Sequence, residues 1–413
     1  MSTGEIKRVI IIGAGQAGGE TAQRLRQAGF AGDITLIGEE PCPPYQRPPL
    51  SKAYLAGKID MDRLLLRPAN VYSEERIALL TSVKAVWIDR ASKKVRIEGG
   101  RELPYDALVL ATGARPRKLP LVGADLDGVH LFRTAADIDA IRPRFVAGAK
   151  LVVIGAGYIG LEVAAVARQT GLDVTVIETA VRPLARVTSP EVAGFFLDEH
   201  TRQGVRFLLG GQPAVIKGKE RVTGVGLADG GELPADIVIA GIGVTPETTL
   251  AQHCGLTIEN GIVTDAECRT SDPHIFAIGD CAARPMAHFD QRVCRLESVH
   301  NAVEGAKIVA GVLTGQAAHN VEAPWFWSDQ YDLKLQIAGL FQGYDHVVFR
   351  GVMADRSFAA FYYKGDRLIA VDAVNRPGEY LGAKMLIQSG RTLPPDVIAD
   401  ETRPMKELVA SAR

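Results

Sequence analysis

The chain contains the same passage twice. Lys7-Arg8-Val9-Ile10-Ile11-Ile12 runs into Gly13-Ala14-Gly15-Gln16-Ala17-Gly18, and Lys150-Leu151-Val152-Val153-Ile154 runs into Gly155-Ala156-Gly157-Tyr158-Ile159-Gly160. Each apolar run reads as a strand buried on both faces of a parallel sheet. Each glycine loop opens a helical stretch, Ala17–Ala28 and Ile159–Thr170, that stops near Gly29 or Gly171. A second strand follows each helix, Asp33–Ile37 and Asp173–Ile177. Two such βαβ units commit the chain to an α/β architecture with parallel sheets. A lone G-x-G-x-x-G also marks plain turns. Here each match follows a strand, opens a helix and lies inside a βαβ unit, the context that gives the motif meaning.

The rest of the chain fits around these units. Tyr105–Leu110, ending in Ala111-Thr112-Gly113, and Ala235–Ala240, ending in Gly241-Ile242-Gly243, are expected to be the strands that close the two domains; Ile275–Asp280 follows. From Pro324-Trp325-Phe326-Trp327 onward the texture changes to β-favouring runs punctuated by Gln342-Gly343 and Lys364-Gly365-Asp366, an expected third, α+β domain. With 413 residues there is room for two or three domains of roughly 100–200 residues each. The expected division is 1–113 with 248–323, then 114–247, then 324–413.

Composition excludes several classes. The formal net charge of −1 argues against a nucleic-acid partner. Val9–Ile12 is too short for a signal-peptide core or a membrane span, and no other stretch reaches membrane length, so a cytoplasmic protein is expected. The five cysteines form no CxxC and no zinc spacing, so no metal site is expected; the lack of a redox pair in the first helix counts against a disulfide reductase.

The glycine loops carry the chemistry. The first glycine permits a tight turn, the second lets a pyrophosphate approach the backbone, and the third lets helix and strand pack closely. The helix N-terminus offers free N–H groups and partial positive charge to phosphates. Glu39 and Glu178, ending the second strands, lie where a carboxylate accepts hydrogen bonds from an adenosine ribose. Glu178 would also repel the 2′-phosphate of NADP, which favours NADH, although Arg182 and Arg186 stand nearby. Two dinucleotides in one chain imply hydride transfer between them.

A more specific likeness lies in Glu39-Glu40-Pro41-Cys42-Pro43-Pro44-Tyr45-Gln46-Arg47-Pro48-Pro49-Leu50-Ser51-Lys52, Thr112-Gly113, Gly279-Asp280, Arg295-Leu296-Glu297-Ser298-Val299, Pro324–Tyr331 and Val374-Asn375-Arg376-Pro377. Together these resemble the oxygenase-coupled, FAD-dependent ferredoxin reductases, of glutathione-reductase-like fold, over essentially the whole chain. That resemblance implies FAD held by Gly13, Gly15, Gln16, Ala17, Gly18, Glu39, Arg47, Lys52, Val83, Ala111, Thr112, Gly113, Asp280, Glu297, Ser298, Val299 and Trp327. It implies NADH held by Gly155, Gly157, Tyr158, Ile159, Gly160, Glu178, Arg186 and Gly243. Lys52 would sit near flavin N5, paired with Glu162, and favour negative charge on the reduced ring; Trp327 would lie at the ring. His300 stands where the family pattern has glutamine or proline, and packing is its favoured role. Cys42 and Cys281 are candidates to lie near the flavin. Plainer roles stay open: Lys52 as a capping lysine, Glu162 as an exposed acid in a helix's first turn, Trp327 as a core aromatic, Glu39 and Glu178 as solvated acids.

The implied partner is a [2Fe–2S] ferredoxin serving a cytochrome P450 or ring-hydroxylating dioxygenase. Docking candidates for so acidic a partner are Arg292, Arg295, Lys307 and Lys334. A monomer or weak homodimer is expected. Rubredoxin reductase is an alternative of the same architecture. A redox-sensing flavoprotein of the apoptosis-inducing-factor type is another, less favoured because the chain shows no basic tail.

Overall fold

The computed structural model describes residues 6–316 and 322–412. By packing, the chain divides into two compact units. The first comprises Met1–Gln46, Met61–Arg115 and Thr245–Pro324; the second comprises Arg47–Asp60, Pro116–Val244 and Trp325–Arg413. The expected boundaries place the Arg47–Asp60 segment with the first unit; it packs with the second.

The centre of the first unit is a five-stranded parallel sheet in the order Ile275–Ala277, Ala107–Leu110, Arg8–Ile12, Asp33–Ile37, Ile77–Leu80. Val9, Ile10, Ile11 and Ile12 are all buried, because helices and antiparallel strands cover both faces; each such side chain contributes roughly 1.5–3 kcal/mol. The helix Gln16–Gln27 turns Ala17, Ala22 and Leu25 inward and packs on the helix Val299–Leu313. The opposite face is covered by the antiparallel strands Ala85–Asp89, Lys94–Ile97 and Glu102–Pro104, through Ala85, Ile88, Val95 and Ile97.

The second unit repeats the plan. Its parallel sheet runs Arg206–Leu209, Asp173–Glu178, Lys150–Ile154, Ile237–Ala240, Val129–Leu131. The helix Tyr158–Thr170 ends on Gly171 at φ 91°, a left-handed stop that glycine adopts without strain. The antiparallel strands Pro213–Gly218, Val222–Leu227 and Glu232–Pro234 cover one face.

In one respect the sheets differ from expectation. Ala107–Leu110 and Ile237–Ala240 do not close their sheets, because each carries a further strand on its outer side. In the first unit that strand, Ile275–Ala277, arrives from beyond the second unit's sheet. In the second it is Val129–Leu131, a three-residue strand too short to show a period in the sequence.

The expected C-terminal α+β region is present within the second unit. Five antiparallel strands lie in the order Trp325–Gln330, Leu333–Gly339, Arg367–Val374, Ser357–Lys364, His346–Val352. The helix Pro377–Ser389 packs on this sheet, opening on a proline and stopping at Gly390. Among the described residues no helix is long and apolar enough to cross a membrane.

Candidate active site

Both glycine loops have the same construction. Gly13 (φ 111°) and Gly155 (φ 103°) turn the chain where a side chain would be strained. Their N–H groups donate to Ile37 O and Ile177 O, each at 2.8 Å. A methyl on Gly13 would lie 2.1 Å from Ala111 O, and one on Gly155 2.5 Å from Gly241 O. A methyl on Gly18 would meet Gly13 O at 1.9 Å, and one on Gly160 would meet Gly155 O at 2.1 Å. The middle glycines differ: a methyl on Gly15 or Gly157 meets no protein atom within 4 Å. First and third glycines are therefore demanded by the fold, whereas the middle one faces open space at a helix N-terminus. That cradle fits a dinucleotide pyrophosphate, once in each unit.

In the first unit, several of the expected FAD residues follow the carboxyl ends of the sheet's strands, whereas Arg47, Lys52 and Trp327 belong to the second unit. Gly13 follows one strand, Ala111-Thr112-Gly113 the next, Gly279-Asp280 the outer one, and Glu39 and Val83 the remaining two. Val83 N–H donates to Gly38 O, and Thr112 Oγ1 donates to Glu247 O at 2.6 Å. Glu39 is exposed. Ser298 caps the helix Val299–Leu313, its Oγ accepting from Asn301 N–H. Asn301, which sequence reasoning missed, donates its side-chain amide to Gly279 O and Leu296 O and so ties those two turns together.

Arg295 corrects an expectation. Its side chain is only 10% exposed and pairs with Glu297 at 2.7 Å, while Nη1 also donates to Asp280 O. It is an internal clamp on Asp280 and Glu297 and has little surface to offer a partner. Lys307 is likewise engaged, 2.6 Å from buried Glu304 and 3.6 Å from Glu322. Arg292 and Lys334 are exposed. His300 is buried in the same helix, 3.9 Å from Glu322. Cys281 lies fully buried beneath the Thr112–Gly113 turn, and burial raises its thiol pKa. Cys268 is pushed up to about 12 by burial, so neither thiol ionises near neutrality. Cys42 is half-buried.

In the second unit, Glu178 accepts from Ala156 N–H at 2.8 Å and from Ala180 N–H at 2.9 Å. The carboxylate is thus fixed beside the glycine loop and is no freely solvated acid. Arg182, a possible 2′-phosphate ligand on sequence grounds, spends its guanidinium on the carbonyls of Ala185, Thr188 and Ser189. Arg186 is exposed near Gly243. Ile159 is exposed in the first helical turn, and the Tyr158 ring packs tilted by 38° against Phe326, 4.9 Å between centroids.

The same helix buries Glu162, which excludes the plainer role of an exposed acid. Lys52 Nζ lies 2.7 Å from Glu162 Oε2, and Ser51 Oγ donates to the same oxygen at 2.5 Å. Ser328 Oγ donates to Oε1 at 2.6 Å. The Lys52 side chain is 18% exposed and that of Glu162 4%, and Nζ also donates to Pro48 O at 3.2 Å. Trp327 is half-buried beside Trp325 and Phe326, at ring separations of 5.7 and 6.3 Å. Arg47 donates to Arg133 O at 2.7 Å.

Two parallel sheets of one plan, each ending in a cradle for a dinucleotide pyrophosphate, define an oxidoreductase that works with two dinucleotides. The chain belongs to the pyridine nucleotide-disulphide oxidoreductase family, whose pattern matches residues 7–306; residues 325–409 match the reductase C-terminal family. It is 44% identical to putidaredoxin reductase of Pseudomonas putida, covering 98% of this chain and 97% of that protein. It is 46% identical to rhodocoxin reductase of Rhodococcus erythropolis, covering 97% and 94%. Among solved structures, it resembles the covalent putidaredoxin reductase–putidaredoxin complex with a TM-score of 0.96 at 43% identity, covering 98% of this chain and 99% of that one. The chain is an FAD-dependent oxidoreductase that draws on NAD(H).

Proposed function

We propose that the chain is an NADH-dependent reductase that passes electrons through FAD to a [2Fe–2S] ferredoxin, which in turn serves a cytochrome P450 or a ring-hydroxylating dioxygenase. The observation that carries the reading is likeness over nearly the whole chain to a reductase solved in covalent complex with putidaredoxin. The division into domains 1–113 with 248–323, 114–247 and 324–413 belongs to the same proposal: an FAD domain, an NAD domain and an interface domain. A cytoplasmic location and a monomer or weak homodimer belong to the same proposal.

Bound FAD would supply the chemistry that links two-electron hydride uptake from nicotinamide to one-electron release. The residues supply binding, orientation and electrostatics. Gly13, Gly15 and Gly18 open the first helix N-terminus to the FAD pyrophosphate, with Gln16, Ala17, Glu39, Val83, Ala111, Thr112, Gly113, Asp280, Glu297, Ser298 and Val299 as further FAD residues of the first unit; Arg47, which packs with the second unit, is proposed as an FAD residue as well. Gly155, Gly157 and Gly160 do the same for NADH, with Tyr158, Ile159, Arg186 and Gly243 around them. Glu178 accepts from the ribose hydroxyls and repels a 2′-phosphate. Lys52 supplies positive potential at the flavin, Glu162 holds its ammonium in place, and Trp327 covers the ring. Arg292 and Lys334 are the docking candidates left exposed.

Anaerobic NADH reduction, followed by a panel of purified [2Fe–2S] ferredoxins and rubredoxins, tests the reading. Fast flavin bleaching and a ferredoxin reduced faster than any rubredoxin are expected, with a rate that falls as salt screens the docking charges. A colourless protein that takes up no flavin, or a preference for rubredoxin, overturns it.

A further inference from the structure

The buried polar groups behind Glu162 do not end at Ser328. Gln330 Nε2 lies 3.1 Å from Ser328 Oγ, Gln330 Oε1 lies 2.8 Å from His200 Nε2, and His200 Nδ1 lies 3.1 Å from Tyr331 OH. All belong to the second unit. Ser328 and Gln330 share one face of the Trp325–Gln330 strand by its two-residue period, and His200 reaches them from the helix Pro190–Arg202. Ser328, Gln330 and His200 are essentially inaccessible to solvent.

The direction of every bond follows from the carboxylate. An ionised Glu162 only accepts, so Ser328 spends its single proton on Oε1. Ser328 Oγ must then accept from the Gln330 amide nitrogen, which turns the Gln330 carbonyl toward His200. That carbonyl requires a proton on Nε2, and a neutral imidazole then accepts at Nδ1 from the Tyr331 hydroxyl. Burial supports the neutral ring, holding the His200 pKa down at about 4. The far end is held unusually: Tyr331 stands at φ 57° in the two-residue turn before Leu333, where a bulky side chain is strained, with its ring 5.0 Å from the imidazole. A carboxamide in the middle does not relay protons, since it has no exchangeable acid form near neutrality. The line therefore orients and polarises.

Resting on the reading of Lys52 and Glu162 above, we propose that Ser328, Gln330 and His200 are positioning residues for that pair: a one-way hydrogen-bond line, anchored at Tyr331, that holds Glu162 as the ionised acceptor of the Lys52 ammonium. Tyr158 also faces Glu162, and burial keeps its hydroxyl protonated.

The test uses the flavin-loaded enzyme and follows the limiting rate of anaerobic reduction by NADH, and the flavin midpoint potential, from pH 5 to 9. In Ser328→Ala the carboxylate loses the Ser328 hydrogen bond that orients it toward the Lys52 ammonium, so a new acidic break should appear in both plots. NADH affinity should stay within about twofold, because the line does not touch the NADH cradle. Ser328→Thr, which keeps the hydroxyl, should restore the parent profile, and Gln330→Leu should show a smaller break. Should Ser328→Ala lose its flavin, Gln330→Leu supplies the comparison. A Ser328→Ala or Gln330→Leu profile that superposes on the parent, with or without lower melting temperature, overturns the inference if Lys52→Ala slows reduction. If Lys52→Ala leaves reduction unchanged, the reading of the ion pair fails and the inference with it.

Discussion

A single methyl group separates what the fold needs from what the ligand needs. Gly155→Ala would drive a methyl against Gly241 O at a positive φ, so the loop must move; the kcat/KM for NADH should fall at least about tenfold with flavin content unchanged. Gly157→Ala meets no protein atom, so it should keep its melting temperature and lose NADH binding alone, as read by titration of the reduced charge-transfer band. Glu178→Gln tests cofactor choice. The ratio of kcat/KM for NADH over NADPH should narrow by about tenfold, because the repelling charge is gone while Ala156 N–H keeps an acceptor. These residues were legible because backbone geometry dictates glycine spacing and the strand fixes where its terminal acid points. Ser328, Gln330 and His200 were not legible. A polar residue in a strand looks the same on a wet face and a dry one, and His200 is distant from Gln330 in sequence.

At the scale of elements, strands and helices that carry long periodic runs stand where their patterns put them. Arg8–Ile12, Asp33–Ile37 and Lys150–Ile154 were read within a residue. The elements passed over include one too short for a period, Val129–Leu131, and two long helices, Pro190–Arg202 and Val299–Leu313. The internal ion pairs of two docking candidates had a local signal, since Lys307 follows Glu304 by three on a helix and Arg295 precedes Glu297 by two. The Ser298 cap makes an element-scale prediction. Ser298→Ala strands the Asn301 N–H at the start of the Val299–Leu313 helix and should cost about 1 kcal/mol, seen as a lower denaturation midpoint. If the helix also presents Ser298 and Val299 to the flavin, the variant should release FAD more readily on dilution.

For the molecule as a whole, two buried groups of the second unit set opposing pH dependences. Unfolding lets His200 take a proton near 6.5, but the folded ring resists until about 4, so its contribution to stability withdraws as pH falls through that window. Asp372 behaves oppositely. Burial raises its carboxyl to about 6 although Thr188 and Tyr362 donate to it, whereas the unfolded chain ionises near 3.8. Its contribution is complete below 3.8 and lost as pH rises through 6, a change of about 3 kcal/mol. Asp372→Asn should therefore leave the His200 effect unopposed, so that the melting temperature climbs more steeply from pH 4 to pH 6 than in the parent; an unaltered slope would assign that window to another group.

The strand Ile275–Ala277 completes the first sheet only after the second unit's parallel sheet has been laid down in sequence. During synthesis, Ala107–Leu110 must therefore wait on the ribosome with an unfilled apolar border until its neighbour emerges. A chain built this way depends on protection of that border in the meantime, and cutting it short before residue 275 should yield inclusion bodies rather than half an enzyme.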